Sequence, residues 1–188
     1  SLLEPGSTIK PLLDYASLFS MKDGTVYGPG TVMLDENIDE FYCAGMGGSC
    51  SLSNATGKFY GKITLRESLS NSLNIGAIKA LAIVGIEKGL EILHNLGDTS
   101  YCEDSSAGLS MAIGSGCTVK MVEHANAYAT VARGGSYKDL AYVLEVKDPS
   151  GKVVETWKDT EAKRVIDEQV AYELSIILID ADTRAKYN

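Results

Sequence analysis

The chain has 188 residues, with 17 Lys and Arg against 25 Asp and Glu, a formal net charge of −8 at pH 7 and 45% hydrophobic residues. That composition excludes a disordered tail and fits one globular unit with enough apolar surface for a sizeable core. No stretch clusters Lys or Arg, which excludes an electrostatic footprint for nucleic acid or an anionic membrane surface. The apolar runs at 75–84 and 174–179 fall short of the roughly 20 residues a membrane-spanning helix needs, so any membrane anchor is expected outside this chain.

Apolar residues at Ile9, Leu12, Leu13, Ala16 and Phe19 predict a first helix over 7–19, behind a Pro5-Gly6 turn. Pro11 lacks an N–H and crowds the carbonyl of Ser7, which predicts a local kink there. Residues 21–61 hold many turn formers, including Gly28, Pro29, Gly30 and the glycine-rich stretch between Cys43 and Cys50, and read as a loop-rich excursion with little regular structure. Thr64 and Glu67 form a capping-box pair, and helical spacing then runs through Leu65, Leu69, Leu73, Ile75, Ile78 and Ala82 to Leu96, closed by Gly97.

A further helix is expected from about Val119 to Arg133, closed by Gly134 and Gly135. Residues 140–146 and 153–157 are rich in β-formers and flank Asp148-Pro149-Ser150-Gly151, which suits a type I turn, so a β-hairpin is expected near 140–158. Asp167 precedes a last helix over 170–178. The fold class is α+β, mostly helical.

Cys43, Cys50, Cys102 and Cys117 are too few for a disulfide scaffold; two disulfides in any of three connectivities, or four reduced buried thiols, both fit. Zinc would want tighter pairs with nearby histidines, and His94 and His124 follow no such spacing.

Ser7-Thr8-Ile9-Lys10 places a hydroxyl and an amine three residues apart at a helix start, on one face and within reach of each other. A serine nucleophile needs such a base, and burial there gives a lysine reason to lose its proton. The string alone is expected about once by chance in such a chain, and a serine N-cap explains it equally well. Ser72-Leu73-Asn74 is as short, and a turn between two helices accounts for it too.

Context separates these readings. Residues 4–11 resemble the nucleophile motif of the penicillin-binding transpeptidases, and residues 65–78 are similar to the segment around their second motif. Residues 112–116 and 126–135 resemble that family's later helices, so the resemblance runs from residue 4 to about 180. It implies that 1–188 is the helical part of a penicillin-binding or serine β-lactamase-like transpeptidase domain. Ser7 would be the acylated nucleophile and Lys10 its general base. Ser72 would relay a proton to the leaving group, and Asn74 would bind the backbone of a donor stem peptide or the side-chain amide of a penicillin. The Ser7 N–H would supply half of an oxyanion hole.

No Lys-Thr-Gly or Lys-Ser-Gly, the family's third motif, occurs in the chain, and only six residues precede Ser7. The resemblance therefore implies a domain truncated at both ends, inactive by itself, and closer to the bifunctional class A enzymes, whose glycosyltransferase domain comes earlier. The implied reaction is D,D-transpeptidation between a D-Ala-D-Ala donor stem peptide and an amine acceptor, blocked by β-lactam antibiotics, with no metal or organic cofactor. A β-lactam sensor, a catalytically dead penicillin-binding module, a serine β-lactamase and a D,D-carboxypeptidase are the alternatives. A β-lactamase would need a deacylating glutamate; Glu91 lies in a helical stripe and reads as helix surface. His94 and His124 read as ordinary polar or half-buried residues.

Enzymes of this kind work on the extracytoplasmic face of the bacterial plasma membrane, here reached through an upstream anchor. In that oxidising setting the resemblance favours disulfides Cys43–Cys50 and Cys102–Cys117. Asn54-Ala55-Thr56 matches a glycosylation acceptor and reads as polar loop.

Overall fold

The computed structural model describes residues 1–43, 50–102, 107–184 and 186–187; the glycine-rich stretch at 44–49 lies outside the described residues. The chain enters as a short strand, β1 (Leu2–Leu3), and turns directly into the helical segment around which the rest is built. That segment is a 3₁₀ turn, Gly6–Ile9, then a π turn, Pro11–Tyr15, then α1, Ala16–Phe19. All residues from Ile9 to Phe19 are buried, as expected of a helix enclosed by protein on every side. Leu12, Leu13 and Leu18 are fully buried, each contributing about 1.5–3 kcal/mol.

The kink expected at Pro11 is a change of helix type. Pro11 has no N–H to offer the Ser7 carbonyl, which accepts from the Lys10 N–H instead, in the tighter 3₁₀ pattern. The ladder then widens, the Ala16 N–H reaching back five residues to the Pro11 carbonyl. Serine and lysine of the first motif thus stand on a tight turn, while the residues behind them form the core.

The excursion carries more regular structure than its composition suggests: β2 (Val32–Asp35), a one-turn helix α2 (Asp39–Tyr42), and β3 (Gly61–Thr64), which pairs antiparallel with β2. Four-residue strands are too short to show alternation against so many turn formers. The capping box forms at α3 (Leu65–Ser70): Thr64 Oγ1 accepts the Glu67 N–H at 3.1 Å, and Glu67 Oε2 accepts the Thr64 N–H at 2.7 Å.

The long helical stripe expected up to Gly97 is cut twice, into α3, α4 (Asn74–Val84) and α5 (Ile86–Leu96). Gly85, at φ 86° and ψ 139°, makes the second cut in a conformation open only to glycine. Ser72 makes the first, discussed below. α4 and α5 both pack on the central segment.

A 3₁₀ helix, Gly108–Ile113, leads to β4 (Val119–Lys120), which pairs with β1, and to α6 (Met121–Ala132). α6 closes as expected: the Gly134 N–H reaches the Val131 carbonyl and the Gly135 N–H the Thr130 carbonyl, both at 2.9 Å, a Schellman cap. β5 (Ser136–Tyr137) follows. The hairpin is β6 (Glu145–Lys147) with β7 (Val153–Thr156), turned by a Gly151 N–H to Asp148 carbonyl bond of 2.9 Å. Its strands are shorter than the β-rich runs, and every strand residue is exposed, so no buried face extends the pairing. β8 (Lys163–Arg164) pairs with β5, and α7 (Glu168–Leu178) and α8 (Ala181–Arg184) end the chain, α7 packing on α3 and α6. The whole is helix-rich, with two-stranded sheets at its margins.

Candidate functional site

The second motif owes its shape to the end of α3. Asn71 caps the helix, the Ser72 N–H bonds the Leu69 carbonyl at 3.0 Å and the Leu73 N–H bonds the Ser68 carbonyl at 2.9 Å. This is again a Schellman cap, with serine in the left-handed position that glycine usually takes, φ 54°. A non-glycine residue there costs on the order of 1 kcal/mol and calls for a reason. The reason is geometric: the turn aims the Ser72 carbonyl and hydroxyl, and Asn74 after them, at Lys10.

Lys10, only 1% exposed, donates to the Ser72 carbonyl at 2.7 Å, to Ser72 Oγ at 3.2 Å and to Asn74 Oδ1 at 2.7 Å. Three acceptors match the three donors of an ammonium. The two motifs, 62 to 64 residues apart in sequence, therefore meet on one nitrogen. Ser7 stands exposed three residues before Lys10, and no hydrogen bond of its hydroxyl is seen among the described residues; the Ser7–Lys10 contact expected from helical spacing gives way to the contact with Ser72 and Asn74.

Burial pulls the Lys10 ammonium down to about 8, with the negative potential of Asp14 opposing it. Asp14 is fully buried and neither oxygen has a hydrogen-bond partner. Burial pushes its carboxyl well above the usual range, against the pull of Lys10. Burial thus disfavours the charged forms of both groups, and for Lys10 it outweighs the pull of Asp14, which brings the amine within reach of neutral pH.

Sequence reasoning missed the support behind the second motif. Asn54, 2% exposed, accepts the N–H groups of Asn74 at 2.8 Å and Ile75 at 3.2 Å through its carboxamide oxygen, capping α4 from another part of the chain. Its amide nitrogen donates to both oxygens of buried Asp35, at 3.0 and 2.9 Å, and to the Lys58 carbonyl at 2.9 Å. Asn54 lies in a loop as read, with its side chain consumed inside the protein, which leaves no free amide for a glycan. Asn74 Nδ2 donates to the Ser53 carbonyl at 2.9 Å, so the excursion holds both ends of that residue.

Glu91 pairs with Lys88 on the exposed face of α5, as a helix-surface residue would. His94 bonds the Tyr101 carbonyl at 2.8 Å. Cys43 is bonded to Cys50 and Cys102 to Cys117. Among the described residues, no group of three His, Cys, Asp or Glu could hold a metal ion, and no helix is long and apolar enough to cross a membrane.

Residues 1–187 match the family of the penicillin binding protein transpeptidase domain. The chain belongs to this family. Among its relatives, penicillin-binding protein 2D of Bacillus subtilis is 34% identical over 170 residues, which cover 90% of this chain and 23% of that protein. Penicillin-binding protein 2a of Streptococcus pneumoniae is 28% identical over 180 residues, 95% of this chain and 23% of the relative. The chain thus spans less than a quarter of these relatives' length. In structure it is similar to penicillin-binding protein 1A of Haemophilus influenzae, with TM-score 0.78, 24% identity, and coverage of 95% of this chain and 29% of that one. An imipenem acyl-enzyme complex of penicillin-binding protein A from Mycobacterium tuberculosis matches with TM-score 0.73 and 20% identity over 98% of this chain and 45% of that one. Lys10 thus meets Ser72 and Asn74 within a transpeptidase domain of this family.

Proposed function

We propose that the protein containing this chain is a serine D,D-transpeptidase of peptidoglycan synthesis, acting outside the cytoplasmic membrane, and that Ser7 is its nucleophile. The observation that carries the reading is the convergence of Lys10 on Ser72 and Asn74 beside an exposed Ser7.

In the forward reaction the Lys10 amine, freed of its proton, takes the Ser7 hydroxyl proton as Oγ attacks the carbonyl of the penultimate D-alanine. The Ser7 N–H, at a helix start, stabilises the developing oxyanion. Ser72, already bonded to Lys10, passes a proton to the departing D-alanine amine, and the acyl group then moves to an amine acceptor on a neighbouring stem peptide. Asn74, fixed by Asn54 and Ser53, presents its carboxamide to the donor backbone. A β-lactam enters by the same attack and stays as an acyl-enzyme. The relatives named penicillin-binding protein 1A favour a class A parent with a glycosyltransferase domain and a membrane anchor upstream.

The chain alone holds no Lys-Thr-Gly or Lys-Ser-Gly string and so brings one oxyanion donor where acylation wants two. Its expected labelling by β-lactams is weak or absent. On full-length protein, intact-mass analysis after exposure to a penicillin is expected to show one covalent adduct, absent from Ser7→Ala; an adduct that survives Ser7→Ala sinks the assignment.

A further inference from the structure

Immediately after Ser7, Thr8 is gripped by a buried pair from two other elements. His124, in the first turn of α6 and 6% exposed, sits with Nδ1 2.5 Å from Oδ2 of Asp98, which is fully buried. Its Nε2 lies 3.0 Å from Thr8 Oγ1. Asp98 is delivered by the Schellman cap that ends α5, its N–H bonding the Leu93 carbonyl at 3.3 Å just after Gly97 in the left-handed conformation. One turn further along α6, Tyr128 donates to the Thr8 carbonyl at 2.6 Å and packs edge-on against the His124 ring, with centroids 5.4 Å apart.

Counting protons fixes the direction of the chain. The Thr8 hydroxyl has one proton and gives it to the Pro5 carbonyl at 2.7 Å, so toward His124 it accepts and Nε2 donates. The short Nδ1 to Asp98 contact holds a second proton between ring and carboxylate, which fixes the ring plane. Sequence reading treated His124 as an ordinary helix residue because its two partners lie 26 and 116 positions away.

We infer that His124, oriented by Asp98, is a positioning residue for the nucleophile: through Thr8 it sets the pitch of the 3₁₀ turn that carries Ser7. The inference rests on the assignment of Ser7 above. The 3₁₀ turn needs such a grip, because Pro11 removes the α-type bond that would otherwise tie the Ser7 carbonyl to the following turn. A misplacement of the nucleophile by a fraction of an ångström slows attack without changing how the ligand is held.

The test is acylation of full-length protein by a fluorescent penicillin, resolved into the pre-covalent binding constant and the acylation rate constant. His124→Ala and Thr8→Val are expected to lower the rate constant about tenfold, with binding within about twofold. His124→Gln, whose amide donates from the place of Nε2, is expected to recover most of that loss. Thr8→Val leaves the His124–Asp98 pair in place and changes a residue that is itself exposed, so it reports even if the histidine variants unfold. Wild-type acylation in Thr8→Val, or no recovery in a folded His124→Gln, overturns the inference.

The inference has a readout that needs no acylation. In the NMR spectrum a proton on His124 Nδ1 is expected downfield of ordinary imidazole protons, lost in Asp98→Asn and shifted in Thr8→Val. Its absence from wild-type protein also overturns the inference. Unlabelled wild-type protein that shows the resonance would instead overturn the assignment of Ser7.

Discussion

The carboxamide oxygen of Asn54 accepts the backbone N–H of Asn74 at 2.8 Å, so a residue of the excursion caps the helix on which the second motif stands. Asn54→Ala removes that cap and strips buried Asp35 of its two bonds from the amide, leaving the Tyr60 N–H. Loss of the cap together with an under-satisfied buried carboxylate is expected to cost about 2–4 kcal/mol in urea unfolding. Asn54→Asp is expected to be no better, since it sets a second carboxylate against Asp35. A stability change within experimental error for both variants would show that the network is ornamental.

Lys10 gives the reaction a pH dependence with a defined sign. The base is the neutral amine, and burial brings the ammonium down to about 8. The acylation rate constant is therefore expected to rise with pH and level off above about 8; at pH 7 about a tenth of the amine is free. Folding responds in the window above it, from about 8 to 10.5. The unfolded lysine holds its proton up to its ordinary value near 10.5, while the folded one releases it from about 8. The unfolded state thus binds more protons across that interval, and the Lys10 contribution to stability rises with pH there. Lys10→Met is expected to remove that rise in urea midpoints, together with acylation.

Much of this molecule was legible before its coordinates, and what was not has a common cause. Thr64 and Glu67, Gly134 and Gly135, and the Asp148–Gly151 turn carry their signals within a few residues, and each forms as read. The family resemblance brought Ser7, Lys10, Ser72 and Asn74 into one group; spacing alone could not, because Lys10 and Ser72 are 62 residues apart. Asn54, Asp35, Asp98 and His124 stayed hidden because their partners are remote in sequence and single polar residues give no periodic signal. The cut at Ser72 was legible only as one of the readings of Ser72-Leu73-Asn74, a turn between two helices, because serine there takes a conformation normally marked by glycine.

Asp14 makes the opposite pH contribution to Lys10. Burial pushes its carboxyl well above the usual value of 3.8, so the folded state keeps a proton that the unfolded state loses. The stabilisation is fully present below about pH 3.8 and is lost as pH rises through the folded value. Asp14→Asn copies the neutral form without a titrating group. Its stability relative to wild type is expected to increase as pH rises above about 3.8, until the folded carboxyl ionises. A difference that stays flat as pH rises from 3.8 would mean that folding does not raise the Asp14 carboxyl.

Cys102 and Cys117 close a loop with a sequence separation of 15. A bond closing a loop of that size contributes about 3 kcal/mol in the chain-entropy account. The double variant Cys102→Ser with Cys117→Ser is expected to lose about that much in urea unfolding. Thiol titration of denatured, unreduced protein is expected to find no free thiol, and four after reduction. Four thiols before reduction would remove both bonds.

Gly114 tests how tightly the nucleophile turn is seated. A Cβ added there would lie 2.1 Å from the carbonyl oxygen of Gly6, the residue before Ser7, and its φ of +75° is costly for any L side chain. The Cβ is fixed rigidly to its own backbone and the oxygen it meets is backbone too, so neither can swing aside as a side-chain end would. Gly108 provides the control, because it has a similar φ of +62° and, among the described residues, nothing within 4 Å of the position of a Cβ. Gly108→Ala is expected to cost about 1–2 kcal/mol, the conformational penalty alone. Gly114→Ala adds the cost of forcing two backbones apart and is expected to lose about 2–5 kcal/mol, with acylation reduced in the protein that remains folded. Equal losses in the two variants would mean that the approach of Gly114 to Gly6 does not hold the turn in place.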